Sequence, residues 1–248
     1  MASAAEKYSD LSPSVEAYLL GCVDFHHCLA LQRRLAAEIA VRDDGQIVLL
    51  LAEHNPLITI GRGGSLSDIT AQKRLLQSRQ IDICWVNRGG STLVHCPGQL
   101  AVYPIVPLRW HGLRAGEYLR LLQTGLAKAI EELNIRAECR PGRYGLWGRT
   151  GQLAALGVAV RDWVTYYGAY VNVCPAMGMF RLVAGDPLEP APMSCLVAER
   201  HGAARMATVR AAVVRHVVEA LGCDRYHLYT GHPSLRNAPA NAVGGLFS

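Results

Sequence analysis

The groups best suited to chemistry are a few cysteine thiols, a histidine and a glycine-rich turn that contains an arginine. Most of them lie in the run Asn87-Arg88-Gly89-Gly90-Ser91-Thr92-Leu93-Val94-His95-Cys96-Pro97-Gly98-Gln99-Leu100. A glycine pair lets a backbone approach a ligand closely and offers N–H groups as a nest, and Arg88 beside it suits an anion or a carbonyl. The same composition also makes an ordinary turn. Gly61-Arg62-Gly63-Gly64 is a second such stretch, without the spacing of a dinucleotide fingerprint or a P-loop. Cys96 next to His95 would make a sensible nucleophile and base, but strand neighbours point to opposite faces, so a packed thiol is expected.

The eight cysteines are scattered and form no Cys-x-x-Cys pair, which predicts free thiols acting as small hydrophobes in a reducing compartment. Lysine is scarce: Lys7, Lys73 and Lys128 are the only ones among 25 basic residues. Any chemistry that needs an ammonium has three candidates. The net charge of +5 fits an acidic partner but is too diffuse for a nucleic-acid footprint, so no nucleic acid is expected. Half of the residues are hydrophobic and 18% are charged, which excludes a disordered chain. The longest apolar runs, Ile47 to Ala52 and Leu153 to Val160, fall short of the ~20 residues that span a bilayer. The start, Met-Ala-Ser-Ala-Ala-Glu-Lys, is not built like a secretory signal. A soluble cytoplasmic protein with no membrane partner is expected.

The elements that must position these residues follow from periodicity. Residues 1–14 read as a loose arm. Cys28, Leu31, Leu35 and Ile39 recur at helical spacing after Asp24, a plausible N-cap. Strands are predicted over 46–52, 81–86 and 100–106, with a short extended piece after Asn55-Pro56 and a polar helix near 68–78. Residues 115–133 form an amphipathic helix through Tyr118, Leu122, Leu126 and Ile130. Residues 153–160 and 164–173 read as a hairpin turning at Arg161-Asp162. A proline-rich connector, 186–192, leads to a short helix near 195, and a last helix spans 205–221 with Gly222 past its end. Residues 231–248 read as a disordered tail. No repeat or linker divides the chain. One α/β (α+β) domain over 15–230 is expected, with a mixed sheet.

Four segments in order change the reading. Glu53-His54-Asn55-Pro56-Leu57-Ile58-Thr59-Ile60-Gly61-Arg62 is followed by Arg88-Gly89-Gly90 with His95 and Pro97-Gly98-Gln99-Leu100, then Leu153-Ala154-Ala155-Leu156-Gly157-Val158, then Gly168-Ala169-Tyr170-Val171-Asn172-Val173. Together with Leu29-Ala30-Leu31-Gln32 in the first helix, they resemble the octanoyltransferase family of lipoate biosynthesis across roughly residues 15–222. The resemblance implies the catalytic fold of lipoate and biotin protein ligases, a largely antiparallel mixed sheet flanked by helices. It implies transfer of an octanoyl group from acyl carrier protein to a lipoyl-domain lysine, without cofactor or metal. It also implies a substrate-binding set: Arg88, Gly89, Gly90, Ser91, Thr92, Leu93, Val94, His95, Ala155, Leu156, Gly157, Gly168, Ala169 and Tyr170.

Members of that family use a cysteine thioester and a lysine that lowers the thiol's pKa, because an adjacent ammonium favours the attacking thiolate. Here the lysine position is Gln152, and the Pro-Cys-Gly motif is replaced by Gly185-Asp186-Pro187, which puts Asp186 at the nucleophile position. Leu93, Val94, Cys96 and Tyr167 also depart from the family pattern. Two readings of Asp186 remain open, a solvated turn residue before Pro187 and a partly buried general base with a raised pKa. Cys195, nine residues on across Pro187, Pro190 and Pro192, and Cys96 are the alternative nucleophiles. The implied activity is therefore octanoyl transfer that is impaired, lost or rerouted. The alternative is a non-catalytic protein that binds an acyl chain, acyl carrier protein or lipoyl domain. An ATP-dependent ligase fits least, since no lysine falls in a pocket motif.

Overall fold

The computed structural model describes residues 14–184, 192–200, 202 and 204–236. The chain opens with β1 (Val15–Cys22), α1 (Phe25–Arg42), β2 (Ile47–Glu53) and β3 (Leu57–Ile60). Asp24 caps α1, its carboxylate accepting from the His27 N–H at 2.8 Å, and Asp43 ends the helix in the left-handed region. Next come α2 (Lys73–Ser78), β4 (Asp82–Trp85), β5 (Thr92–His95) and β6 (Gln99–Ile105). The second half comprises α3 (Ala115–Glu131), β7 (Gly145–Trp147), β8 (Gln152–Arg161) and β9 (Val164–Asn172). The described residues finish with α4 (Leu196–Arg200), α5 (Met206–Ala220), β10 (Tyr226–Thr230) and α6 (Pro233–Arg236).

Seven strands form one sheet in the order β10-β1-β2-β6-β9-β8-β7, and three form another in the order β4-β3-β5. In the large sheet β1 runs parallel to β10 and β2, and every other pair is antiparallel. In the small one β3 is parallel to β4 and antiparallel to β5. Helices cover both faces of the large sheet, which explains the unbroken apolar run of β2. Ile47, Leu49 and Leu51 pack in the core with Leu122, Leu126 and Val213 of α3 and α5. Val48, Leu50 and Ala52 pack with Leu31, Leu35 and Ile39 of α1. The β8–β9 hairpin turns through Asp162 and Trp163, at φ 50° and 63°, a two-residue loop whose twist suits the paired strands.

The observed architecture is the expected mixed, largely antiparallel sheet flanked by helices. Local differences have local causes. The polar helix near 68–78 is a 3-10 turn, Leu66–Asp68, followed by the short α2. The first part of the expected tail is ordered: Gly231 donates to the Leu19 carbonyl at 2.8 Å, and α6 docks through the hydrogen bond from Arg34 to Ser234. The rest of that tail, the arm over 1–13 and the connector carrying Asp186 lie outside the described residues. No helix among the described residues is long and apolar enough to cross a membrane.

Candidate functional site

The glycine turn after β4 sits between the small sheet and β8, and glycine on both sides makes that fit. A Cβ on Gly157 would lie 2.4 Å from the Gly89 carbonyl oxygen, and one on Gly61 would lie 2.4 Å from that of Gly90. The Gly89 N–H donates to the Val158 carbonyl at 2.9 Å, so the turn is stitched to β8. Arg88 is fully buried inside it. One Nη donates to the Gly89 and Ser91 carbonyls at 3.1 and 2.9 Å, and the other donates to the Thr59 carbonyl and hydroxyl at 3.1 and 2.7 Å. Burial pulls its pKa down from the ordinary guanidinium value, and neutral oxygens rather than a carboxylate satisfy those N–H groups. Its role in the turn is that of a strut.

A one-way chain of donors runs on from Arg88. Thr59 Oγ1, already accepting from Arg88, is 2.8 Å from His95 Nε2 and donates its hydroxyl hydrogen bond to it. His95 Nδ1 is 3.0 Å from Gln99 Oε1. Gln99 Nε2 donates to the Val94 carbonyl at 3.2 Å and to Asn172 Oδ1 at 3.0 Å, and Asn172 Nδ2 donates to the Ser194 carbonyl at 3.0 Å. Residues 192–194 are also pinned to β8: Gln152 N–H donates to the Pro192 carbonyl, and Ser194 N–H to that of Gln152. Burial and the nearby Arg88 charge hold the His95 pKa well below the usual histidine value. His54, paired with the Val23 carbonyl and the Tyr103 hydroxyl, is pulled down to about 4 by burial.

Above this floor lies a cavity of about 550 Å³, bounded by the turn, β5, β7, β8 and the stretches 177–184 and 192–193. From the expected binding set, Arg88, Gly90, Ser91, Thr92, Leu93, Val94, Ala155, Leu156 and Tyr170 line it. Gly89, His95, Gly157, Gly168 and Ala169 do not. Gly89 and Gly157 are buttresses, their backbones pressed together beside the cavity. His95 is under the floor, its ring 4.5 Å from that of Tyr170. Gly168 serves the contact between β9 and β6, where a Cβ would come within 2.0 Å of the Val102 oxygen, and Ala169 faces the helical core. The Thr92 hydroxyl is taken up by Asp68 at 2.6 Å.

Periodicity missed Arg143, Tyr144 and Trp147 of the cavity wall because β7 is only three residues long. Met177, Phe180 and Arg181 lie on a 3-10 turn, whose pattern has neither strand nor α-helical period. The tripeptide Arg140-Pro141-Gly142 was the available signal for the first group, and Phe180 for the second.

Gln152 also lines the cavity, with its side-chain amide turned back to the Ala154 carbonyl at 3.2 Å. No lysine is among the described residues that line it. Lys128 lies on α3 and pairs with Glu219 at 3.3 Å, and Lys73 is exposed on α2. Asp186 lies outside the described residues, but Ala184 before that segment and Pro192 after it both line the cavity. Burial pushes the Cys96 thiol up to about 11, which suits packing rather than attack. Cys195 is buried beside Ser194 and does not line the cavity.

Comparison with known proteins gives a consistent picture. The family model described as the lipoyl protein ligase A/B catalytic domain matches residues 24–218. An octanoyltransferase of Geotalea uraniireducens is 36% identical over 194 residues, 78% of this chain and 87% of that protein. One from Geobacter sulfurreducens is 34% identical over 226 residues, covering 84% and 92% of the two chains. Among solved structures, lipoate-protein ligase A bound with ATP superposes with a TM-score of 0.74 at 13% identity, over 90% of this chain and 91% of that one.

Proposed function

The chain belongs to the octanoyltransferase family, within the lipoyl protein ligase A/B catalytic domains, and from that premise we propose that it binds a medium-length acyl chain but no longer forms the acyl-thioester intermediate. The observation that carries this reading is Gln152. At the position where the family places its activating lysine, the cavity wall presents a neutral amide bonded to its own strand. A thiol of ordinary pKa, about 8.5, is mostly protonated near neutrality, and a neutral amide does not stabilise the thiolate as an ammonium does. In the sequence, Asp186 falls where the family's motif carries its cysteine. A carboxylate can form no thioester, so both members of the pair are replaced together, and members of such a unit do not fail independently.

The binding set proposed is the part of the expected set that borders the cavity, with Arg88 and the glycines shaping it and Leu93, Val94, Ala155 and Leu156 supplying apolar wall. The partners proposed are octanoyl-acyl carrier protein and lipoyl domains, in the cytoplasm. Incubation with octanoyl-acyl carrier protein tests the covalent step. Intact-mass spectrometry should show no octanoyl adduct, and a hydroxylamine-labile gain on Cys96, Cys195 or any other thiol would overturn the reading in favour of a rerouted enzyme.

A further inference from the structure

One face of the small sheet is left incomplete at its edge. β4 is an outer strand, paired with β3 alone, and its two faces differ. Cys84 and Val86 pack against Phe25, Tyr166 and Tyr167. Ile83 and Trp85 point the other way, in register with Ile58 and Ile60, toward the side that α2 covers. α2 seats Leu76 with Ile58 and Val94 in the core and leaves the outer strand uncovered. Ile58 and Ile60 are fully buried, whereas Trp85 is 64% exposed, Ile83 37% and Leu75 of α2 38%.

The backbone is open along the same edge. The Val86 N–H donates to the Ile60 carbonyl at 2.9 Å, so residues 84 and 86 turn their amides to β3. Ile83 and Trp85 therefore turn theirs outward, and no described residue pairs with them. Edges of this kind are usually blunted by a charge, a proline or a bulge, and Ile83-Cys84-Trp85 carries none of these. Positive charge lies beside it instead. Lys73 and Arg74 in the first turn of α2 and Arg79 at its end are exposed. None of them has an ion-pair partner among the described residues. Asp82 is the single acid between residues 71 and 86.

We propose that the β4 edge, with Ile83 and Trp85 on its open face, is the docking site of an acidic protein that adds a strand of its own to the small sheet. This surface is separate from the cavity, which neither Ile83 nor Trp85 lines. Lys73, Arg74 and Arg79 call for carboxylates around the contact. A second copy of this chain would bring the same cations face to face, since a two-fold contact sets a patch against itself. An anionic membrane would match the charge and the apolar side chains, but hydrocarbon cannot bond the outward amides of Ile83 and Trp85. A strand does both: its backbone completes the edge, and its side chains cover the exposed pair.

Fluorescence anisotropy of the full chain at low salt, with a labelled peptide that alternates valine and glutamate, tests the assignment. The peptide should bind, more weakly as salt is raised, and should slow amide exchange at Ile83 and Trp85. The same peptide with lysine for glutamate should not bind, nor should one N-methylated at alternate residues along its pairing edge. Ile83→Thr with Trp85→Thr should weaken binding on the order of tenfold without lowering the melting temperature, and so should Lys73→Gln with Arg74→Gln and Arg79→Gln. Arg136→Gln, on an exposed ion pair elsewhere, should change neither. Equal binding of the N-methylated peptide, or no binding of the acidic one, would overturn strand addition. Trp85-dependent binding to phosphatidylglycerol vesicles, or Trp85-dependent dimerisation in sedimentation, would overturn it in favour of a membrane or a second copy.

Discussion

His95 and Gln99 fix each other's state. The Gln99 Nε2 donates to the Val94 backbone carbonyl, so Oε1 is the end that faces His95, 3.0 Å from Nδ1. A carbonyl oxygen only accepts, and the imidazole proton must therefore sit on Nδ1, leaving Nε2 to accept from Thr59. A second proton would place a cation in a fully buried site beside Arg88. The histidine of the motif is thus a neutral link in a structural relay, and its chemistry is directional hydrogen bonding rather than proton transfer.

That state makes the fold acid-labile. His54 titrates at about 4 and His95 well below its ordinary value in the folded chain, against about 6.5 unfolded. The unfolded chain therefore binds more protons in this range, so the stabilisation is present above about pH 6.5 and is lost as pH falls toward 4. Urea midpoints should be flat from pH 8 to 7 and drop steeply between pH 6 and 4.5. In His95→Gln the drop should be shallower, and an equally steep drop would contradict the assignment.

The turn is held by missing methyl groups. Gly157→Ala should lower stability by about 1–3 kcal/mol, since its Cβ meets the Gly89 oxygen at 2.4 Å, and it should weaken acyl binding by displacing the turn. Gly178→Ala has no atom within 4 Å and no left-handed φ, so it should change neither. Thermal unfolding and acyl titration of both proteins, side by side, decide the matter.

Octanoate should raise the melting temperature in proportion to ln(1 + [L]/Kd). Ala155→Leu, which fills the wall beside Leu156, should abolish most of that shift while leaving the unliganded melting temperature nearly unchanged. The absence of a shift in the wild type at millimolar octanoate would remove the acyl cavity from consideration.

Asp186→Cys with Gln152→Lys should recover octanoyl transfer to a lipoyl domain, and each single change should give far less. The cysteine alone lacks its ammonium, and the lysine alone has no thiol to activate. Recovery should be partial, because Leu93, Val94 and Tyr167 also depart from the family pattern, and a misplacement of about 1 Å costs on the order of a hundredfold. Mass detection of the octanoylated domain over hours reads the outcome. A wild type as active as the double variant would show that the pair is dispensable here. An inactive double variant that folds and binds octanoate would show that the damage extends through the cavity.

Residue spacing alone determines what is local in this protein. The period of 3.6 from Cys28 to Ile39 and from Tyr118 to Ile130 dictates α1 and α3, since each repeat lines up one face for burial. The β8–β9 hairpin and the order of the glycine motifs are local too, and the cavity-forming stretches 88–94 and 152–156 stand out in the chain for that reason. Tertiary structure decides what is distant. Val15 pairs with Tyr226 across almost the whole chain, a contact that neither segment announces. Tyr167 occupies the left-handed region inside β9, at φ 59°, and its N–H donates to the Gln32 side chain of α1 at 2.8 Å, a partner 135 residues away in the chain. His95, Gly157 and Gly168 look like ligand contacts in the motif, yet they lie behind the wall. A motif records which residues a site requires, whereas the side of the strand each one faces depends on which other strands and turns pack against it.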